Sequence, residues 1–214
     1  MRLYTLVTII LVAASVSQAT VSITNLSFEN GLAGWNVIVP PGGSVSVVPA
    51  HSDPFGTGVT SWVPSSGSKM AVLKTDGPYS FTKLYQTFTA DQGDVLRFAY
   101  FWDSHDCMPY NDWATGNITN GNSPDNPAIA TLFYESVSTD PQPYWGTPWK
   151  TVAYTFPSTG LYTIVFTITN GGDSLFDSRL GIDAMPIPAP GALLLSGIGT
   201  GLVGWIRKRK IVWC

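Results

Sequence analysis

Between Tyr162 and Thr169 the chain alternates, with Tyr162, Ile164, Phe166 and Ile168 in one phase and Thr163, Val165, Thr167 and Thr169 in the other. A period of two marks a strand with one face on a core, because successive side chains of extended backbone point to opposite sides. Similar runs occur at Ser44 to Val48, Lys69 to Thr75, Thr82 to Phe88, Val95 to Trp102, Ala128 to Tyr134, Lys150 to Phe156 and Leu180 to Ala184, separated by Gly, Pro, Asn and Asp clusters. No stretch sustains helical spacing of apolar residues. Eight short strands with turn signals between them predict an all-β, jelly-roll-like β-sandwich. Leu96, Phe98, Tyr100 and Trp102 form a face bulky enough to anchor its core, and Trp35, next to a strand, also reads as a core aromatic. Two connections are long, Pro49 to Ser68 and Asp103 to Pro127, and loops of that length carry function or lack local order. A ligand is expected near one of them or near Pro141 to Trp149.

The pattern changes at both ends. Met1-Arg2 is a short positive head, Leu3 to Ala14 is apolar, and Ser17-Gln18-Ala19 has the small-x-small form of a cleavage site, so residues 1–19 read as a signal peptide removed after Ala19. An uncleaved anchor is the alternative. Pro190 to Ile206 carries no charge and meets the run Arg207-Lys208-Arg209-Lys210. As a helix, those residues span about 25 Å, slightly short for a bilayer core but workable with snorkelling flanks. The basic cluster marks the cytoplasmic end. Residues 20–185 are then one sandwich domain, flanked by the signal peptide and by a tail, 186–210, holding a transmembrane helix at 190–206.

Charge sharpens this division. Only 12% of the chain is charged and the formal net charge is −3, yet outside Arg2 and the tail cluster six basic residues face all fourteen acidic ones. So acidic a domain excludes nucleic acid as a partner and suits cations. The two cysteines, Cys107 and Cys214, lie on opposite sides of the membrane if the tail spans it and cannot then pair. Cys107 reads as a small buried or loop residue, with a nucleophile or metal ligand as the alternative.

Pro188-Ala189-Pro190, the Gly-containing apolar span and the terminal Arg and Lys run together resemble the PEP-CTERM sorting signal, with Ala189 standing where the name-giving motif has Glu. The resemblance implies an exosortase-type membrane protease as partner, and a protein passing from an inner-membrane-tethered precursor to the cell surface or extracellular matrix. An ordinary single-pass anchor is the plainer reading.

Within the domain, Asn25 to Trp35, Gly67-Ser68-Lys69-Met70-Ala71, Leu84 to Phe88 and Ser178 to Asp183 follow one another in an order similar to galactose-binding-like jelly rolls, which include many carbohydrate-binding modules. That resemblance implies one structural calcium ion held by Glu29, the carbonyl of Lys69 and Asp183. The alternative is that Glu29 and Asp183 make backbone hydrogen bonds.

The densest chemistry lies in Asp103 to Asp112. Cys107 as nucleophile with His105 as base is conceivable there, but the segment has no zinc-binding spacing and reads first as a polar surface loop, then as a second calcium site using Asp103 and Asp112. Trp113, Trp145 and Trp149 lie in or beside loops and are the candidates for a sugar-stacking platform. A glycosidase needs two carboxyls about 5 to 10 Å apart, and only Glu29 and Glu135 are available as Glu. These observations favour a non-enzymatic surface or matrix protein with a domain for adhesion or structure, with a glycan-binding module for extracellular polysaccharide as the alternative.

Overall fold

Strands form where the two-residue alternation was read, and also where it was not. The computed structural model describes residues 19–185 apart from Thr75. The signal peptide up to Gln18, the sorting motif Pro188-Ala189-Pro190, the 190–206 span and Arg207 to Lys210 lie outside the described residues. Among the described residues no helix is long and apolar enough to cross a membrane.

Fourteen strands are described where eight were expected: β1 (Asn36–Ile38), β2 (Ser44–Val48), β3 (His51–Ser52), β4 (Thr57–Gly58), β5 (Ser61–Trp62), β6 (Met70–Lys74), β7 (Phe81–Ala90), β8 (Val95–Asp103), β9 (Trp113–Asn120), β10 (Ala128–Ser136), β11 (Trp145–Gly146), β12 (Lys150–Thr155), β13 (Gly160–Thr169) and β14 (Arg179–Asp183). One sheet runs β1-β7-β13-β9-β10, and a second runs β2-β6-β14-β8-β11-β4 with β12 also on β8. A small third sheet pairs β3 with β5.

The two large sheets share one core. Leu84, Phe88, Ile164, Phe166 and Ile168 from the first meet Leu96, Phe98, Tyr100, Trp102, Leu180 and Ile182 from the second. Phe98 meets Phe166 edge to face at 5.1 Å, and Tyr100 stacks on Phe133 at 3.9 Å. The fold is thus an all-β sandwich, consistent with a jelly roll.

Both long connections proved to be structured. β9 lies inside the expected loop Asp103 to Pro127, between β13 and β10. Its sequence, Trp-Ala-Thr-Gly-Asn-Ile-Thr-Asn, interrupts its strand formers with Gly116 and two asparagines, but Ala114 and Ile118 reach the core and Gly116 leaves the space that the Phe133 ring fills. The stretch Pro49 to Ser68 holds β3, β4 and β5, and Trp62 from it forms a second small core with Met70, Val72 and Phe101.

Candidate functional site

The outer face of the five-stranded sheet carries a groove. On β7, β9 and β13 every second residue faces the core, so Phe81, Lys83, Trp113, Thr115, Asn117, Thr119, Val165 and Thr167 belong to the opposite phase. These residues line a groove of ≈ 300 Å³, walled by Pro124, Asp125 and Asn126.

Pairing register explains the aromatic rim. Thr169 sits opposite both Phe81 on β7 and Trp113 on β9, and the two rings meet at 5.9 Å. Tyr134 lies diagonally across β10 from Trp113, which stacks on it at 6.2 Å. Phe81 and Tyr134 remain 42% and 51% exposed, so the row Phe81, Trp113, Tyr134 presents ring surface to solvent.

The wall is pinned by polar contacts. Thr119 Oγ1 donates to the Ser123 carbonyl, Asn126 Nδ2 donates to the Asn120 carbonyl, and the Lys83 ammonium crosses from β7 to pair with Asp125. Two other depressions, lined by Thr89 to Asp94 with Thr159 and Gly160, and by Cys107, Met108 and Val137 to Pro143, contain no aromatic ring. Rings beside amides, hydroxyls and one ion pair make a surface suited to a ligand with apolar faces and many hydroxyls.

Of the three tryptophans expected to form a platform, Trp113 is in this groove. Trp145 belongs to β11 in the other sheet, so the three share no face. Trp149 packs its ring edge-on to Phe101 and donates its Nε1–H to the Val63 carbonyl, closing the second core.

The expected calcium ligands are occupied otherwise. Glu29 Oε1 accepts from the Ser68 and Lys69 N–H groups, and Oε2 accepts from the Ser68 hydroxyl. Gly67, at φ +73, lets the turn wrap that close. The Lys69 ammonium is 3.0 Å from the Glu29 carbonyl. Asp183 accepts from the Ser66 and Ala184 N–H groups. Both carboxylates thus make the backbone hydrogen bonds that are the alternative to a calcium role.

The segment from Asp103 to Asp112 is a surface loop only at its tip, where Met108 and Tyr110 are exposed; Asp103, Ser104, Asp106 and Asp112 are buried. Asp112 accepts from the Gly171 N–H and from the Ser178 N–H and hydroxyl, which ties the start of β9 to the strand ends opposite. Cys107 interacts with the Tyr144 hydroxyl, while His105 turns to Asp103 and Asp53, so the imagined nucleophile and base face different partners.

Three partly buried carboxyls shape the pH response. Burial pushes Asp106, Asp140 and Asp183 up to about 6, against hydrogen bonds that work the other way. An acid whose pKa is raised by folding binds its proton more tightly when folded, so its contribution is present at low pH and is lost as pH rises through 6. Urea midpoints are expected to be higher at pH 5 than at pH 7.5, and Asp140→Asn is expected to flatten the difference. A higher midpoint at pH 7.5 would contradict this.

No protein-family model and no curated protein matches the chain. Among solved structures, the K3 cleaved adhesin domain of Lys-gingipain from Porphyromonas gingivalis is 15% identical over 74% of this chain and 94% of that chain, with a TM-score of 0.44. TmCBM61, solved in complex with β-1,4-galactotriose, is 16% identical over 78% and 96%, with a TM-score of 0.42. The enzymatically active domain of bacteriophage CBA120 tailspike protein 4 is 13% identical over 78% of this chain, which spans 21% of that one, with a TM-score of 0.41. Scores below 0.5 carry no argument about ligand, and the chain is placed by its own strands and side chains as an all-β sandwich with an aromatic-rimmed groove.

Proposed function

We propose that the domain is a non-catalytic glycan-binding module working outside the cytoplasm, on a chain exported by its N-terminal segment and sorted at the membrane by its tail. The observation that supports it is the row Phe81, Trp113, Tyr134 beside a groove floored by Thr115, Asn117 and Thr167. Sugar rings offer an apolar face to aromatic rings and hydroxyls to amides, and extracellular polysaccharide is the ligand class that matches both.

The acidic side chains support binding over hydrolysis. Glu135 accepts from the Tyr100 hydroxyl and the Lys150 ammonium, and Glu29 is held by Ser68 and Lys69. Neither carboxyl lines the groove. Export and exosortase sorting rest on the sequence of the two ends, as read above.

Affinity electrophoresis in soluble xylan, β-glucan and galactan tests the groove. Truncating an aromatic anchor removes on the order of 2 kcal/mol, so Trp113→Ala and Tyr134→Ala are each expected to weaken binding about 30-fold. Unaltered migration of both variants, or no retardation of the parent chain, sinks the reading. Mass spectrometry of the native protein tests export: a mature N-terminus at Thr20 and a C-terminus near Pro188 to Pro190 are expected. Cytosolic protein retaining Met1 and Cys214 would contradict it.

A further inference from the structure

The chain has two histidines, and the fold brings both to one carboxylate. His51 opens β3 and Asp103 closes β8. His51 Nε2 is 2.7 Å from Asp103 Oδ2, and His105 Nε2 is 3.2 Å from the same oxygen. Asp53 then joins from the other side, its Oδ2 3.2 Å from His105 Nε2. Fifty residues of sequence separate the two contributing segments, so nothing local requires this meeting.

Burial leaves the cluster short of hydrogen-bond donors and receptive to a cation. Asp53 and Asp103 are 2% and 0% exposed, and the second oxygen of Asp103 is buried without a hydrogen-bond partner. Two adjacent carboxylates out of water are costly unless positive charge lies between them. Arg179 is nearby, but its guanidinium donates to the carbonyls of Asp177 and Ser178. The imidazole Nε2 of His105 holds at most one proton for two acceptors.

The two separations at His105 match tetrahedral coordination. Ligand atoms of Asp53, Asp103 and His105 all lie within 4.8 Å of one another. A tetrahedral metal with bonds of 2.0 to 2.1 Å sets its ligand atoms about 3.3 Å apart, close to the two separations of 3.2 Å found here. One imidazole with two carboxylates suits zinc and its neighbours better than calcium, which takes oxygen ligands. The side chain of His105 is 23% exposed, which leaves an open edge for entry and for water as a fourth ligand.

We propose that Asp53, Asp103 and His105 bind a divalent transition metal of the zinc type, with His51 as the positioning residue that donates to Asp103. His51 is suited to that role because its ring is stacked against both Trp62 and Phe101, at 5.4 and 5.7 Å. The bound metal ties the Pro49 to Ser68 segment to the end of β8. The site is separate from the groove and stands or falls without it.

Cobalt(II), then zinc, titrated into the full-length chain freed of metal by chelator, tests the assignment. Cobalt is expected to give the visible bands of a four-coordinate nitrogen and oxygen site, and zinc to bleach them. Zinc at about 100 times its dissociation constant is expected to raise the melting midpoint by roughly 5 to 10 °C. His105→Gln and Asp53→Asn are each expected to lose the bands and the shift, with His105→Gln melting in chelator within about 2 °C of the parent. His51→Gln is expected to keep the bands with affinity about tenfold weaker or more. Equal midpoints in zinc and chelator without visible bands overturn the proposal. So do bands that persist in both variants, bands with thiolate charge transfer from Cys107 or Cys214, or a shift with calcium and none with zinc.

Discussion

Gly181→Val is expected to leave little native sandwich at room temperature. Gly181 is the middle residue of β14, paired with Val72 on one side and Phe101 on the other. The Phe101 ring lies over it, and a Cβ at this position would overlap the ring. Nothing nearby can give way. Phe101 is fully buried, stacked on Trp62 at 4.5 Å and against the Trp149 edge at 5.0 Å, while strands on both sides hold the Gly181 backbone. Expelling the ring costs what deleting it does, about 3–5 kcal/mol, which is most of the stability of an ordinary domain. Urea unfolding followed by tryptophan fluorescence reads the loss, and Gly181→Val combined with Phe101→Leu is expected to recover part of it. A Gly181→Val protein with the parent midpoint would show that the ring does not depend on this glycine.

Phe166→Ala is the second large effect expected. Phe166 lies inside β13 and is fully buried, with Phe98 at 5.1 Å, Trp35 at 6.0 Å and Phe133 at 6.4 Å. It therefore joins three things: the opposite sheet, the N-terminal segment that Phe28 and Trp35 plug into the core, and β10. A phenylalanine lost from such a site costs about 3–5 kcal/mol, because packed neighbours collapse only partly into the void. Lys83→Ala, on the outer face of the adjacent β7, is expected to stay within about 1 kcal/mol, since its ion pair with Asp125 is exposed. Equal urea midpoints for these two variants would contradict the assignment of faces on which the groove also rests.

That assignment was legible on β13 without any structure, because Phe166 and Ile168 alternate with threonines. The same holds for Leu96, Phe98, Tyr100 and Trp102 on β8, which enter the core as their spacing predicts. Trp113 was legible as a candidate only by residue type. Its groove was not, because the floor is β9, a strand whose Gly116 and asparagines mimic a loop and which exists by virtue of Phe133 and its neighbours on either side. The resemblance assigns Glu29 and Asp183 to calcium, and the N–H groups of Ser66, Ser68 and Lys69 that they accept from come into view only in the folded turn.

Alternation and turn residues act over two to five neighbours and need no distant partner, so the all-β character of residues 20–185 and the face that fills the main core are readable without a structure. The sequence also carried the reading of both ends as addresses. Which distant side chains meet is a matter of the folded chain. Trp113 with Phe81, and Asp103 with His51 and Asp53, are neighbours because strand register sets them so. Register is fixed by how the two sheets pack, a property of the whole core and of no short stretch within it.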